Sequence, residues 1–215
     1  MIALALLLAA PTAHAVVCDD PLFALLAAPP PEKDGVGVVT GAGTLDGKAV
    51  VGGRFSIASA HTPRVWRQVL LDAESQDEWV PKRFGYVVSD RIDADHMYMR
   101  FDLAFLMNSV HVQRQLVVRV TSGDVGDRFR TCWRMVDPGP HLATIGAKAA
   151  PDIDWERAST GWWEVTPQPD GTALVNYQWW AESGKVPAAL QRWGASRTLP
   201  DLLRAFEARV ASLSR

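Results

Sequence analysis

The sequence predicts an α+β fold in which a curved antiparallel β-sheet wraps around one long C-terminal α-helix. Between residues 83 and 181, apolar and polar side chains alternate in several runs, which is the pattern of strands that bury one face. From Thr198 onward the apolar residues recur at helical spacing instead. The apolar stripe of that helix must be buried, and the half-apolar sheet is the partner available to it. A sheet and a helix packed in this way commonly leave a concavity where small molecules bind.

The composition is that of an ordinary globular protein, and it disfavours some partners. The 215 residues suffice for one domain with a sizeable core, and 48% of them are hydrophobic while 21% are charged. A net charge of −2 gives no electrostatic reason to bind nucleic acid or an anionic membrane, so any membrane contact is expected to be transient. Nine tryptophans indicate either a large aromatic core or a cavity with aromatic walls. The oligomeric state is not specified by the sequence.

The first fifteen residues, MIALALLLAAPTAHA, have the pattern of a secretory signal peptide. They form an apolar run that ends in Ala13-His14-Ala15, an A-x-A cleavage pattern, although no Lys or Arg precedes the run. The run is shorter than the roughly 20 residues that a membrane span requires. The bulky Val17 before Cys18 disfavours lipid attachment. We therefore expect cleavage after Ala15 and a periplasmic or secreted protein, with lipid anchoring and an uncleaved or cytosolic chain as the alternatives.

Residues 16–34 are expected to form an arm or linker ahead of a domain that covers residues 35–215. The segment PLFALLAA is followed by PPPEKDG, in which three prolines and several charges favour a linker. The two cysteines are Cys18 in the arm and Cys132 in a predicted strand. Because export permits disulfides, these residues form the one possible intramolecular pair. The alternative is two unrelated thiols.

The domain is expected to begin with a β-hairpin and two short helices. Asp46 and Gly47 form a strong turn pair between β-branched residues, which predicts the hairpin. In the following HTPRVWRQVLLDAESQDEW the period becomes helical, with Thr62 as the N-cap and Pro63 in the first helical position. A second short helix in AESQDEWVP would stop at Pro81.

A meander of about five antiparallel strands is expected next. Met97, Met99 and Phe101 share one face of the strand DHMYMRFDLAF. Trp133 and Met135 share one face of DRFRTCWRMV, opposite a basic outer stripe that we expect to be solvated. The stripe consists of Arg128, Arg130 and Arg134. The face rich in methionine and aromatic residues is either plain core or an adaptable pocket wall, because thioethers suit ligands of irregular shape.

A long connection of loop composition, HLATIGAKAAPDIDWERAST, leads to a last hairpin and the C-terminal helix. The strands GWWEVTP and TALVNYQWWA would be joined through residues 169–171, with Tyr177 on the inward face. Thr198 and Asp201 form a start resembling a capping box for TLPDLLRAFEARVASL. The apolar stripe of this helix consists of Leu199, Leu202, Leu203, Phe206, Val210 and Leu213.

One arginine stands on an otherwise apolar strand face. In HVQRQLVVRV, Arg114 alternates onto the same face as Leu116 and Val118. An unpaired buried charge is costly, so Arg114 needs a carboxylate partner, water or a ligand. A partner such as Glu164 or Asp102 would make it a structural ion pair. A ligand carboxylate, phosphate or hydroxyl would make it a binding residue.

Catalytic and metal-binding motifs are not found in the sequence. It has no H-E-x-x-H, no paired C-x-x-C, no P-loop and no G-x-S-x-G. His96, His111 and His141 are scattered, and we expect them to face solvent rather than to bind a metal. Tyr177 and Arg114 are the inward candidates for acid–base chemistry, although Tyr177 also fits an ordinary core tyrosine. The sequence therefore predicts no catalytic residue, no metal site and no cofactor.

The order of these elements and several local signatures resemble the START-like branch of the SRPBCC superfamily, the helix-grip fold. The resemblance spans roughly residues 32–213. The segment Trp79-Val80-Pro81 resembles the turn that ends the family's helical pair, and Arg114 resembles its central-strand arginine. The last hairpin and its exit carry Trp163, Pro167, Asp170, Gly171, Thr172, Tyr177, Gly184 and Pro187. In many relatives an acidic residue follows the strand arginine. Here Gln115 follows it, which leaves Arg114 dependent on a more distant partner.

The resemblance implies a deep, mostly apolar pocket beneath the C-terminal helix, where members bind lipids, sterols, polyketides or other hydrophobic ligands. On this interpretation the chain binds a lipid or another apolar or amphipathic small molecule, and a binding role is favoured over an enzymatic one. The ligand-binding residues would be Arg114, Tyr177, Met97, Met99, Phe101, Trp133, Met135, Leu116, Val118 and Phe206. The alternatives are an enzyme like a polyketide cyclase or dehydratase, which the export signal disfavours, and an interaction module whose own side chains fill the groove.

Overall fold

The computed structural model describes residues 20–29, 36–81, 86–105, 110–182, 184 and 186–214. Within this part of the chain, eight strands form one antiparallel sheet. The strands are β1 (Gly37–Leu45), β2 (Lys48–Ser59), β3 (Tyr86–Arg91), β4 (His96–Phe105), β5 (Val110–Val125), β6 (Arg128–Val136), β7 (Ser159–Pro167) and β8 (Ala173–Glu182). The helices are α1 (Pro63–Leu71), α2 (Gln76–Trp79), α3 (Leu142–Ile145) and α4 (Ala188–Leu213). Short 3₁₀ turns lie at Pro21–Ala24, Ala73–Ser75, Gly139–His141 and Gly146–Lys148.

The sheet has the strand order β1-β2-β8-β7-β6-β5-β4-β3. Strands β3 to β8 form a meander of six strands, one more than the sequence indicated. The N-terminal hairpin joins this meander because β2 pairs with β8, with Phe55 opposite Tyr177. Helix α1 packs against α4 and β7. Sheet and helices thus enclose one concave side.

The predicted N-terminal hairpin and first helix are confirmed. Asp46 and Gly47 form the turn between β1 and β2, with φ angles of 49° and 74°. Helix α1 begins at Pro63 after Thr62, but the Thr62 side chain makes no capping hydrogen bond within the described part of the chain. The helix is fixed instead by burial of Trp66, whose indole Nε1 donates to Ser59 Oγ at 2.8 Å.

The C-terminal helix is longer than the sequence predicted. It begins at Ala188, so Thr198 and Pro200 lie inside it and the expected capping box at Thr198 is wrong. The Thr198 hydroxyl instead donates to the carbonyl of Gly194, one turn earlier. Asp201 accepts a hydrogen bond from Arg204 Nη1 at 2.6 Å. The local signal was misleading because a threonine hydroxyl bonds equally well to a preceding helical carbonyl.

The predicted stripe of this helix is buried against the concave side of the sheet for most of its length. Phe206 lies between Trp79, at a ring distance of 4.9 Å, and Trp163, at 4.7 Å. The buried residues of the stripe are Leu202, Leu203, Phe206 and Val210. Leu199 is half-buried, while Leu213 at the end of the helix is exposed.

No helix in the described part of the chain is long and apolar enough to cross a membrane.

The arm packs on the outer, convex side of the sheet. Leu22 and Leu26 are buried beside Trp180. The guanidinium of Arg54 donates from Nη1 to the carbonyl of Leu26 at 3.1 Å. Phe23 contacts Trp162 edge to face, with 6.2 Å between ring centroids. The arm is therefore a docked element in the residues that the structure describes, rather than only a spacer.

Candidate ligand-binding site

A cavity of about 270 Å³ lies between the concave face of the sheet and helix α4. Its size is close to the lower end of small-molecule pockets, which start at about 300 Å³. The lining is mostly apolar, as expected for a site that accepts a hydrocarbon. The apolar lining residues are Leu70, Ala73, Met97, Met99, Phe101, Leu116, Val118, Val120, Trp133, Trp163, Trp179, Ala181, Val186, Ala195, Leu199 and Leu202.

One wall of the cavity comes from the paired strands β4 and β5. Met97 lies opposite Val118, and Met99 lies opposite Leu116 in the antiparallel register. Cross-strand partners point to the same face, so these thioethers and branched side chains form one continuous surface. Unbranched methionine side chains have several rotamers of similar energy, so this wall is able to adapt to the shape of a ligand.

Aromatic rings close the cavity on the side of β7 and β8. Tyr177 stacks on Trp163 at 4.3 Å and on Trp133 at 5.8 Å between ring centroids. Phe55 stacks on the other flank of Tyr177 at 5.9 Å. Gly161 makes this arrangement possible, because a Cβ at that position would overlap the ring of Trp133. The aromatic group is a rigid boundary, in contrast to the methionine wall.

The polar end of the cavity is built around Arg114. Its Nη1 donates to the carbonyl of Gln113 at 2.8 Å. Its Nε lies 3.8 Å from Glu156 Oε2, and its Nη1 lies 3.7 Å from Asp154 Oδ2. These two distances exceed ordinary hydrogen-bond lengths, so the carboxylates neutralise the guanidinium without satisfying its donors directly.

The predicted partners of Arg114 are corrected by this geometry. Glu164 lies on the outer face, where its carboxylate is buried and pairs with Arg128 and Arg130. The side chain of Asp102 lies outside the described residues. The carboxylates near Arg114 belong to Asp154 and Glu156, on a connection whose loop composition gave no indication of inward-facing residues.

Gln115 explains how that connection reaches the site. The buried Gln115 side chain donates to the carbonyls of Ala150 and Ile153 at 2.8 and 2.7 Å. Its Oε1 accepts from the hydroxyl of Tyr98 at 2.9 Å and from the backbone N–H of Ala150 at 3.1 Å. Gln115 therefore anchors the connection to β5. That anchoring places Glu156 beneath Arg114.

The carboxyl group of Glu156 has an unusual proton affinity. Burial raises its pKa from the ordinary 4.5 to about 7, although the nearby positive charge of Arg114 lowers it in part. The neighbouring carboxylate of Glu182 raises the pKa further. Glu182 is itself paired with Arg157, whose Nε donates to Glu182 Oε2 at 2.9 Å. The polar end thus contains one fixed cation and one carboxyl group that titrates near neutrality.

Eight of the ten predicted ligand-binding residues line the cavity. They are Arg114, Tyr177, Met97, Met99, Phe101, Trp133, Leu116 and Val118. Met135 packs beside Val118, its partner in the register, but is not part of the lining. Phe206 is 1% exposed and fills the core instead. Whether the eight contact a ligand stays a prediction.

Several lining residues were missed by sequence reasoning. Glu156 was missed because it lies in the connection after β6, where apolar and polar residues do not alternate. Glu182 was missed because the alternation along β8 does not place it on the inward face. Gln191 and Thr198 were missed because the helix was predicted to begin ten residues too late. A search for charged residues in the connection after β6 would have found Glu156, although without its orientation.

The outer face also differs from the expectation. The basic stripe is ion-paired rather than simply solvated, because Arg128 and Arg130 bind Glu164 while Arg134 binds Asp20 and Asp46. Cys132 is buried in this region beside Trp162 and Phe23. Its predicted partner Cys18 lies outside the described residues, so the disulfide stays a prediction.

The histidines were expected to lie apart in solvent, and two of them do not. The rings of His96 and His141 are 4.5 Å apart between centroids. His96 Nδ1 lies 2.9 Å from Asp93 Oδ1. The side chain of His111 lies outside the described residues.

Comparison with solved structures identifies the fold. A STAR-related lipid transfer protein from Xanthomonas axonopodis superposes with a TM-score of 0.62 at 17% identity, over 86% of this chain and 98% of that one. Human StAR-related lipid transfer protein 5 gives a TM-score of 0.64 at 13% identity, over 86% of each chain. The Zhui aromatase/cyclase from Streptomyces sp. R1128 gives 0.50 at 11% identity, over 77% of this chain and 96% of that one.

The chain therefore has the START-like helix-grip fold, an α+β arrangement, as the sequence predicted. At these identities the likeness establishes the fold alone. No family model matches the sequence, and no curated protein matches it.

Proposed function

We propose that this protein is an exported carrier that holds an amphipathic, lipid-like molecule with its polar end at Arg114 and its apolar part in the cavity. The observation that carries the proposal is the position of one guanidinium at the end of an apolar cavity of about 270 Å³. Among the residues that the structure describes, the nearest carboxylates approach it only to 3.7 and 3.8 Å. A ligand carboxylate, phosphate or hydroxyl would supply the direct hydrogen bonds that this geometry leaves unmade.

The solved neighbours agree with an apolar cargo. Two of them are lipid transfer proteins by name, and they share this fold over most of their length. Shared fold does not transfer a ligand, so the proposal rests on the cavity and the neighbours only support it. The methionine wall favours a flexible chain over a flat, rigid ring system, because it adapts to irregular shapes.

A second candidate function is acid–base catalysis on a bound substrate. It is favoured by one observation, the carboxyl group of Glu156 with a pKa of about 7 beside Arg114 in the cavity. A group that titrates near the working pH is suited to general acid or base catalysis. An aromatase/cyclase shares the fold. We place this second because the apolar lining offers few groups to orient a polar intermediate.

The carrier proposal is tested by identifying the small molecules that copurify with the protein. Protein purified under native conditions from its exporting host is extracted with organic solvent, and the extract is analysed by mass spectrometry. A molecule with an apolar chain and an acidic or hydroxylated end, bound at up to one per protein, supports the proposal. An extract identical to that of an Arg114→Met, Glu156→Gln double variant would reject it.

Export is a separate part of the proposal. Its basis is the apolar run ending in Ala13-His14-Ala15. The intact mass of protein isolated from the host should correspond to a chain that starts at Val16. Retention of residues 1–15, or a diacylglyceryl mass on Cys18, would contradict it.

A further inference from the structure

On the outer face, three potential metal ligands from two distant segments converge. Asp93 lies in the turn between β3 and β4, His96 is the first residue of β4, and His141 ends the 3₁₀ turn after β6. Each offers one ligand atom, and these atoms all lie within 4.8 Å of one another. His96 and His141 are far apart in the sequence, so they come together only when both the sheet and the connection after β6 are folded.

The donor set has a defined chemical preference. Two imidazoles and one carboxylate suit zinc and other late first-row divalent ions, whereas calcium and magnesium prefer oxygen ligands. Three protein ligands with an open position are a common zinc arrangement. Tetrahedral ligands at about 2.1 Å from one zinc stand about 3.4 Å apart. The separations here, at most 4.8 Å, therefore need to shrink by up to about 1.4 Å, a movement that a change of side-chain rotamer provides.

The orientation of His96 is already fixed. Asp93 Oδ1 lies 2.9 Å from His96 Nδ1 and also accepts the backbone N–H groups of Asp95 and His96, both at 2.9 Å. These contacts hold the Asp93 carboxylate against the His96 ring, so two of the three ligands are brought together before an ion binds. The side chain of His96 is 23% exposed, so a metal ion could reach it from solvent. The nearby Arg119 is exposed, so solvent screens its charge.

We propose that Asp93, His96 and His141 form a binding site for a zinc-like divalent transition-metal ion. The site lies on the convex side, apart from the ligand cavity, and does not depend on the carrier proposal. A bound ion would cross-link the β3–β4 turn to the connection after β6. That connection continues to Ala150, Ile153 and Glu156, so the same cross-link would stabilise the support of the polar end.

Zinc titration of the untagged, chelator-treated protein tests the site. Zinc chloride is added in competition with a chromophoric chelator, and melting temperature is measured in parallel. We expect one zinc ion per chain with micromolar or tighter affinity, and a rise in melting temperature. His96→Ala and His141→Ala should each weaken binding at least tenfold and abolish the rise, because each removes one of three ligands.

His61→Ala is the matched control, since His61 lies between β2 and α1 and is not a member of the group. It should bind zinc as the native protein does. Circular dichroism without metal establishes that each variant is folded. His141→Asn is the second variant at that position, used if the alanine variant fails to fold. Absence of saturable binding, or equal affinity in the native and His141 variants, would overturn the proposal.

Discussion

Gln115 and Trp155 pair in an isolated parallel bridge at the point where β6 no longer accompanies β5. Gln115 N–H donates to the carbonyl of Asp154 at 3.2 Å, and Glu156 N–H donates to the carbonyl of Gln115 at 2.8 Å. The bridge thus aligns the chain after β6 with the strand that carries Arg114. Since residues flanking a bridge point to the face opposite its own side chains, Arg114 and Glu156 meet in the cavity while Gln115 is buried outside it.

We predict that Gln115→Leu destabilises the protein and loosens the polar end. Leucine removes the acceptor and both donors while four buried or half-buried hydrogen-bond contacts lose their partner. Each buried polar group left unpaired costs about 1–3 kcal/mol, so we expect a loss of about 3 kcal/mol or more in the free energy of unfolding. Urea unfolding measures it.

Gln68→Leu is the control for this substitution, because Gln68 is exposed on α1. It should change the free energy of unfolding by less than about 0.5 kcal/mol. If Gln115→Leu is equally mild, the side chain of Gln115 does not anchor the connection as described.

A second prediction concerns pH. The pKa of Glu156 is raised from 4.5 to about 7 in the folded protein. Below pH 4.5 the carboxyl is protonated in both states, and between pH 4.5 and 7 the unfolded chain ionises first. The free energy of unfolding should therefore fall as pH rises through this window, by up to about 3 kcal/mol, and this contribution should level off above pH 7. The other charged side chains around Glu156 are those of Arg114, Asp154, Arg157 and Glu182.

Glu156→Gln should remove most of this slope, because glutamine does not titrate. Thermal unfolding of both proteins from pH 5 to pH 8 measures the difference. Glu78→Gln is the matched control at an exposed position and should retain the native slope. A Glu156→Gln profile parallel to the native one would mean that Glu156 ionises normally.

A third prediction is the disulfide between Cys18 and Cys132. Asp20, two residues after Cys18, pairs with Arg134 at 3.2 Å, two residues after Cys132. The arm therefore runs along the strand face that carries Cys132, although Cys18 itself lies outside the described residues. Thiol titration of the denatured, unreduced protein should find no free thiol, and the same titration after reduction should find two. Two free thiols before reduction would exclude the bond.

The sequence predicted the fold because the responsible patterns are local. Alternation along β4, β5 and β6 and the stripe around Phe206 each follow from burial of one face. The predicted start of α4 was wrong because Thr198 resembles an N-cap. The earlier turns of the helix are stabilised by tertiary packing, which buries Ala195. Local propensity does not contain that contact.

The site was predictable in its apolar part and not in its polar part. Met97, Met99 and Leu116 follow from alternation, so the wall could be assigned from the sequence. Glu156 could not, because its position depends on three side-chain hydrogen bonds of Gln115 to a segment about 35 residues away. The cluster at His96 was missed for the same reason, since it forms only when the connection docks on the folded sheet.

The last prediction concerns Arg114 and the polarity of the ligand. Arg114→Met preserves approximate length while removing the charge and all donors. Charge-assisted hydrogen bonds contribute roughly 1.5–3 kcal/mol, so a fatty acid should bind about 10- to 100-fold more weakly. The matched alkane should bind as well or better. The measurement is competition of each ligand with a fluorescent fatty acid analogue. Arg119→Met is the control, because Arg119 is exposed on the opposite face of β5.

A purely structural role of Arg114 predicts a different result. Removing the guanidinium would then leave Glu156 buried without its cation, and both ligands would lose affinity together with a drop in melting temperature. The double variant Arg114→Met, Glu156→Gln separates the two roles, since glutamine carries no charge to strand. If the double variant regains stability and still discriminates against the fatty acid relative to the alkane, Arg114 binds the ligand's polar end. If stability and fatty acid affinity return together, Arg114 serves only to neutralise Glu156.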